Sequence, residues 1–531
     1  MSASPSNSER ASTDHVINPW WTLAVLCLSL VMVVLGNTVL NVALPTLVRE
    51  LHATSTELQW MVDSYALVFA GLLLTAGALG DRFGRKGALV IGLVIFGGAS
   101  FASTFATQAS HIIITRAVMG LGAALVMPAT LSILTTVFPP EKRAQAIAIW
   151  AGFAGAGAAI GPIAGGWLLE HFYWGSVFFL NVPVVLIALI GGRLLVPTSR
   201  DPEHATLDFV GAGLSIVGLG ALLYGIIEAP TYGWTDPLTL SAFGVAIAVL
   251  GYFGYWELHN PNPMLDLKFF RNPRFSAASA AISLNFFAMF GTFFLLTQYL
   301  QVVRGYSPLG AGVRTLPMAF TMMIAAPMSA RFVERLGPKR VMSTGLAIVG
   351  LGLALLSQVD GSTSYWVFAA FLVVAAMGMA STMAPATASI MSSLPLRKAG
   401  VGSAWNDTTR ELGGALGVAV LGSIAGSAYT SRLADAVPDG LPRAVANVAE
   451  TSVGAAVQVS QSLPAGLGTS LQAAAKSAFV GATSEAMLIA AGVVFLAAAL
   501  VARYMPSASV VHDAAPQRVP ETDAAAAHSE A

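Results

Sequence analysis

Fourteen apolar runs, each of about the length needed to cross a bilayer, dominate this sequence and leave few folds open to it. A hydrocarbon core of about 30 Å takes roughly 20 apolar residues per helix. Runs of that kind, separated by polar or Gly/Pro punctuation, cover 20–44, 58–79, 88–106, 111–137, 144–168, 175–197, 208–228, 238–258, 275–300, 308–332, 341–358, 364–390, 404–427 and 480–503. Only 10% of the 531 residues are charged, against roughly 25% in an average soluble domain. No water-soluble fold of this size could cover itself with so few charges. Frequent Gly and Pro inside apolar runs also belong to helices packed in lipid. The expected class is therefore an all-α polytopic membrane protein.

Charge placement tests the count, because Lys and Arg are retained on the cytoplasmic side of a membrane. With both termini inside, nineteen of the 27 cationic residues fall in cytoplasmic segments or at the cytoplasmic ends of runs, only five in external segments, and three, Arg116, Arg314 and Arg410, elsewhere within runs. A miscounted helix would invert every later loop and destroy that asymmetry. Fourteen transmembrane helices with both termini cytoplasmic is the expectation. The opening nineteen residues are polar and lack the charged-then-apolar order of a cleaved signal, so the first run should remain in the mature protein. Cys27 stands alone, and Lys+Arg equals Asp+Glu at 27 each, so neither a disulfide framework nor a nucleic-acid partner is indicated.

The chain repeats itself. Glu334-Arg335-Leu336-Gly337-Pro338-Lys339, after the tenth run, echoes Asp81-Arg82-Phe83-Gly84-Arg85-Lys86, after the second. Pro128-Ala-Thr-Leu-Ser-Ile returns as Pro385-Ala-Thr-Ala-Ser-Ile, and Trp150 returns as Trp405. This spacing implies a cytoplasmic tail (1–19), a six-helix bundle (20–197), an inserted pair (208–258) and a second six-helix bundle (275–503). The bundle at 275–503 would carry an external loop at 428–479, whose stretch 467–478 is expected as a short amphipathic helix on the membrane face. A disordered cytoplasmic tail (504–531) would follow. Duplicated halves around a central site are the arrangement that lets one half rock against the other and expose that site to each side in turn.

Two motifs have a mechanical reading. In the loop Gly80-Asp81-Arg82-Phe83-Gly84-Arg85-Lys86, Asp81 can pair with an Arg of a neighbouring helix, Gly84 supplies a tight turn, and Arg82, Arg85 and Lys86 hold the loop in the cytoplasm. Making and breaking such pairs, here and at Glu334 and Arg335, would bias which face is open. A short basic loop that merely satisfies the orientation rule is the competing explanation. In the fifth run, Gly157, Gly161 and Gly165 recur every four residues, so a neighbouring helix can approach closely. Pro162 removes one backbone bond there, and Gly166 completes the pattern.

Together with Arg116-x-x-x-Gly120-x-Gly122 in the fourth run, these patterns resemble the signature motifs of the major facilitator superfamily, the fifth-run pattern being that of its antiporters. Leu40-Asn-Val-Ala-Leu-Pro45 and Trp60-x-x-Asp63-x-Tyr65 are similar to the fourteen-helix drug:proton antiporter branch, and the likeness spans all but the two tails. The resemblance implies the major facilitator fold, acting in a bacterial plasma membrane as a monomer. It further implies export of small hydrophobic, often cationic compounds against incoming protons, with no cofactor and the proton gradient as the energy source. One departure stands out. The family carries an Asp four or five residues before Asn41, where this chain has Gly36-Asn37, so a proton step at that Asp must be carried elsewhere or be absent.

Ionisable groups inside a span are expensive and are functional candidates by default. Asp63 matches an acid of related exporters, and Arg116 matches the family Arg linked to proton transfer. The thirteenth run holds Asn406, Asp407, Arg410 and Glu411. Asp407 and Glu411 share a face and Arg410 can pair with Asp407. Glu228, near the outer end of the seventh run, resembles an acid seen there in relatives. Coupling is expected of Asp63, Arg116, Asp407, Glu411 and Glu228, against the alternative of a solvated acid or plain ion pairs that fix helices. Substrate contacts are expected from Phe286, Phe290, Phe294, Gln298, Asn406 and Arg410, although a Phe-rich helix can also face lipid.

Other energy sources and chemistries are disfavoured. No lysine lies in a Gly-x-x-x-x-Gly-Lys-Ser/Thr loop and no His-Glu-x-x-His occurs, which speaks against ATP hydrolysis and metal-dependent catalysis. A dedicated exporter of one endogenous metabolite or lipid, possible without proton coupling, stays open beside drug export.

Overall fold

The structure is a computed structural model that describes residues 18–199, 208–261, 263–264, 266–394, 399–438 and 440–506. The two tails expected at 1–19 and 504–531 lie almost entirely outside the described residues. Sixteen helices account for nearly all of the rest, and no strand occurs among the described residues. They are α1 (Pro19–Leu51), α2 (Ser55–Phe83), α3 (Arg85–Ser103), α4 (Ala109–Val137), α5 (Pro140–His171), α6 (Ser176–Leu195), α7 (Phe209–Tyr232) and α8 (Pro237–His259). There follow α9 (Pro273–Val303), α10 (Pro308–Leu336), α11 (Pro338–Leu356), α12 (Tyr365–Ser392), α13 (Ala399–Ala434), α14 (Arg443–Thr451), α15 (Val453–Ser460) and α16 (Ala465–Tyr504). Thirteen are long and apolar enough to cross a membrane, by a search confined to the described residues. The 32-residue α5 coincides with the fifth apolar run.

Local chemistry sets the helix ends. Proline opens α1, α5, α8, α9, α10 and α11, where its missing N–H is lost at no cost and its fixed φ suits the first turn. Asp236, Asn272 and Ser307 cap the helices that follow them. Thr54 and Glu57 form a reciprocal capping box at the start of α2. Gly84 (φ +120°) and Gly337 (φ +79°) make the sharp α2–α3 and α10–α11 turns, in a region of φ that side chains resist. Pro317 accounts for the interruption of α10 at Thr315.

Helices α1–α6 pack on one another, as do α9–α13 with α16. The two groups meet where α2 lies on α13 and where the start of α10 lies on α5, while α7 packs on α8, α2 and α13 at once. In lipid the hydrophobic effect does not drive helices together, so close packing must. Gly122 on α4 shows how: a Cβ there would fall 2.7 Å from both the Gly92 carbonyl oxygen and the Phe96 nitrogen of α3.

One expectation is overturned. The segment 428–479 is not an irregular loop bearing a short surface helix. Its first residues finish α13, its middle forms α14 and α15, and 467–478 is part of the 40-residue α16, continuous with the last span. Alanine has the highest helix propensity of any residue and no proline interrupts Ala465–Tyr504, so the moderately apolar stretch continues the helix.

Candidate functional site

The Gly84 turn marks one end of the bundle and His52, in the left-handed region at φ 53°, marks the other. Between them, Arg116 on α4 is fully buried. Its Nε donates to the Met61 carbonyl at 3.0 Å, Nη1 to the Gly36 carbonyl at 3.0 Å and Nη2 to Asn37 Oδ1 at 2.8 Å. The guanidinium also lies 4.2 Å from the centroid of the Tyr65 ring. Gly120, one turn along α4, makes this possible, because a side chain there would collide with the Tyr65 carbonyl of α2. All three hydrogen bonds end on neutral acceptors. A side chain reaches the arginine from position 37 and not from 36, where a Cβ would instead meet the Phe96 ring at 2.8 Å.

Asp63 sits two turns into α2, fully buried, with neither carboxylate oxygen hydrogen-bonded. The Tyr65 hydroxyl is likewise buried without a partner. On α13, the helix of the other bundle that packs on α2, stand Asn406, Asp407, Arg410 and Glu411. Arg410 Nη1 reaches Asp407 Oδ1 at 3.4 Å, and its guanidinium lies 4.6 Å from the Phe286 ring centroid on α9. Asn406 Oδ1 accepts from Thr387 Oγ1 on α12 at 3.0 Å. Glu411 Oε2 is buried without a hydrogen-bond partner, on the helix of the second bundle that packs against α2. A charge held in low dielectric without a hydrogen-bond partner is costly, so these are the groups on which a proton or a cation would have most effect.

Most of the remaining candidates lie apart from this group. Phe286 is buried and meets Phe290 edge-on at 5.7 Å. Phe294 and Gln298 lie farther along α9, where with Gln59, Tyr429 and Phe479 they line a small cavity near the His52 end. Glu228 Oε1 accepts from Trp60 Nε1 at 3.1 Å. At the Gly84 end, Asp81 Oδ1 accepts from Arg85 Nε at 2.7 Å and Ser132 Oγ at 3.2 Å, Arg85 Nη1 donates to Thr136 Oγ1 at 2.6 Å, and Lys86 Nζ donates to the Arg193 carbonyl at 2.8 Å. Arg82 lies over the Phe83 ring. Glu334 and Arg335, in the second copy of this loop, are exposed.

The α5 glycines divide their work. Gly157, Gly161 and Gly165 face Val34, Thr38 and Val39 of α1, whereas Gly166 meets Pro308 and Leu309 of α10 and the Pro162 carbonyl meets Gly312. Contacts between the bundles gather at the His52 end. Gln301 Nε2 donates to the Val42 carbonyl at 2.8 Å, Ser423 Oγ to Gln59 Oε1 at 3.3 Å and the Leu309 N–H to Glu170 Oε1 at 3.1 Å. Asn37, Gln59, Tyr65 and Gln301 were not singled out as site residues from sequence. For Asn37 and Tyr65 the available signal was their place inside motifs already noted, and for the glutamines it was an amide within an apolar run.

Two helical bundles with unpaired ionisable groups buried where they meet define a polytopic membrane transporter. The chain belongs to the Major Facilitator Superfamily, whose profile matches residues 26–418. It is 37% identical over 492 residues to the "Multidrug efflux pump LfrA" of Mycolicibacterium smegmatis, covering 92% of this chain and 97% of that protein. It is 33% identical over 493 residues to the "Tetracenomycin C resistance and export protein" of Streptomyces glaucescens, with 91% of each covered. The "Methyl viologen resistance protein SmvA" of Salmonella typhimurium is 35% identical over 483 residues, 90% of this chain and 97% of that one. Among solved structures, a bacterial homologue of the human lysosomal transporter Spinster in an inward-facing, unoccupied conformation shares the fold, with a TM-score of 0.63 at 18% identity, over 91% of this chain and 97% of that one. The protein is thus a multi-pass transporter of the bacterial inner-membrane type, from a family of transporters rather than enzymes.

Proposed function

We propose that this chain exports hydrophobic, often cationic compounds from a bacterium in exchange for entering protons, by alternating access. The observation that carries the reading is the presence of buried carboxylate oxygens without hydrogen-bond partners in both bundles, Asp63 on α2 and Glu411 on α13, on two helices that pack against each other, in a chain related along its length to multidrug efflux and resistance proteins. On this reading the units 20–197 and 275–503 rock about the boundary, with 208–258 as an added pair. Fourteen crossings put both termini and the Gly84 end in the cytoplasm, in keeping with the cation bias. The bonds at the His52 end then close the external side, and the Asp81–Arg85 loop remakes contacts as the cytoplasmic side shuts. Asp63, Asp407 and Glu411 are the proton-exchanging groups, and Glu228 steadies α2 through Trp60. The reading needs no cofactor and no second protomer.

Ethidium efflux from preloaded cells of an efflux-deficient host tests this. Efflux should stop with a protonophore and in Asp63→Asn, with the variant still inserted in the membrane. A narrower reading, facilitated export of a dedicated compound without proton coupling, draws support from the neutral Asn37 on Arg116. Export that ignores the protonophore selects it.

A further inference from the structure

We propose that Arg410 is a tethered occupant of an organic-cation site on the face of Phe286, and that an exported cation binds by displacing it. This rests on the export reading above. Phe286 is buried and held edge-on by Phe290, so its ring is fixed and offers a defined face. The Arg410 guanidinium covers that face at 4.6 Å, the geometry of a cation–π contact.

The arginine is held loosely. Its contact with Asp407 is 3.4 Å long, where charge-assisted N–H···O bonds run at about 2.7–2.9 Å, and its side chain remains 33% exposed. Arg116, fully buried with three bonds of 2.8–3.0 Å, shows what an anchored arginine looks like in the same protein. Around Arg410 stand an aromatic face, the Asp407 carboxylate and the unpartnered Glu411 Oε2. Those are the groups a flat, delocalised and weakly hydrated cation requires, and the tether lets Arg410 satisfy each of them only in part. A free cation can align with the ring and with a carboxylate together, while Arg410 retreats into the space to which it is already exposed. Neutral compounds gain nothing from the exchange, so Arg410 sets the threshold for cations.

The test is dye binding by the purified full chain in detergent, with ethidium as the cation and Nile red as the neutral probe, read by fluorescence anisotropy. Arg410→Gln should tighten ethidium by on the order of three- to tenfold, the worth of one cation–π contact, with Nile red unchanged. The gain should vanish in Arg410→Gln/Phe286→Leu. Should Arg410→Gln fail to elute as a single folded species, Arg410→Lys serves, with a smaller gain from its more strongly hydrated head group. Unchanged or weaker ethidium binding overturns the proposal, as does an equal gain for both dyes, which would mean only a larger cavity. If the wild type binds neither dye, the export reading is what falls. Ethidium binding by Arg410→Gln alone would then still support a displaced cation, and its absence would overturn it.

Discussion

Arg116 Nη2 and Asn37 Oδ1 lie 2.8 Å apart, so a neutral amide seats a guanidinium that has no access to solvent. Asn37→Leu should strand that donor and destabilise the protein by about 1–3 kcal/mol, seen as a lower thermal midpoint in detergent. Asn37→Asp should keep wild-type stability and make ethidium export depend more steeply on the pH difference across the membrane. An unchanged dependence would mean that Arg116 takes no part in coupling.

Glu411 places a buried carboxylate oxygen without a hydrogen-bond partner on the helix that meets α2. Glu411→Gln should leave downhill equilibration of ethidium intact in proteoliposomes and abolish its accumulation against a gradient. Uphill transport at the wild-type rate would remove Glu411 from the mechanism.

Gly122→Val should be among the most damaging changes outside the site, because its side chain would meet backbone rather than a movable side chain of α3. Overpacking of this kind costs about 1–3 kcal/mol or more. The yield of monodisperse protein on size exclusion should fall accordingly.

Closure of the His52 end can be trapped. With Cys27 replaced by Ser, cysteines at Gln59 and Ser423, whose side chains touch at 3.3 Å, should be joined by a short bismaleimide and transport should stop. Ethidium added before the reagent should slow the reaction if transport separates α2 from α13.

The turn between α11 and α12 should resist acid. Hydrogen bonds from Ser362 and Thr363 hold the Asp360 carboxyl at about 2, below the usual carboxylate value. A depressed folded value contributes its full stability above the unfolded pKa of about 4 and loses it progressively as pH falls from there through about 2. Limited proteolysis at 358–364 should therefore be as slow at pH 4.5 as at pH 7, and faster in Asp360→Ala at both.

The helical fold was legible because lipid leaves a chain few alternatives, so apolar length and Gly/Pro punctuation alone located most helices to within a few residues. Segment 428–479 misled because its Ala, Gly and Ser content is too polar for a clear membrane signal yet is well suited to a helix. The small-residue period at Gly157, Gly161 and Gly165 is a one-dimensional feature of one helix, and so could be read. What Arg116 touches could not, since Gly36, Asn37 and Met61 come from two other helices and no spacing within α4 encodes them. The Arg410–Phe286 contact was hidden for the same reason, as 124 positions of sequence separate the two residues.

Helix α7 is bonded to both sides of the boundary between the bundles, through Glu228 to Trp60 on α2 and through the Ile226 carbonyl to Ser423 on α13. Below those two bonds the surfaces that meet are Ala66 and Leu67, Ala415 and Ala419, and Leu223 and Ile227, all apolar and half of them alanine. Such a surface has no directional bonds to break and few protrusions to catch. Under the alternating access proposed above it would serve as a plain bearing: with the pins at Glu228 and Ser423 released, one bundle could turn against α7 with little friction.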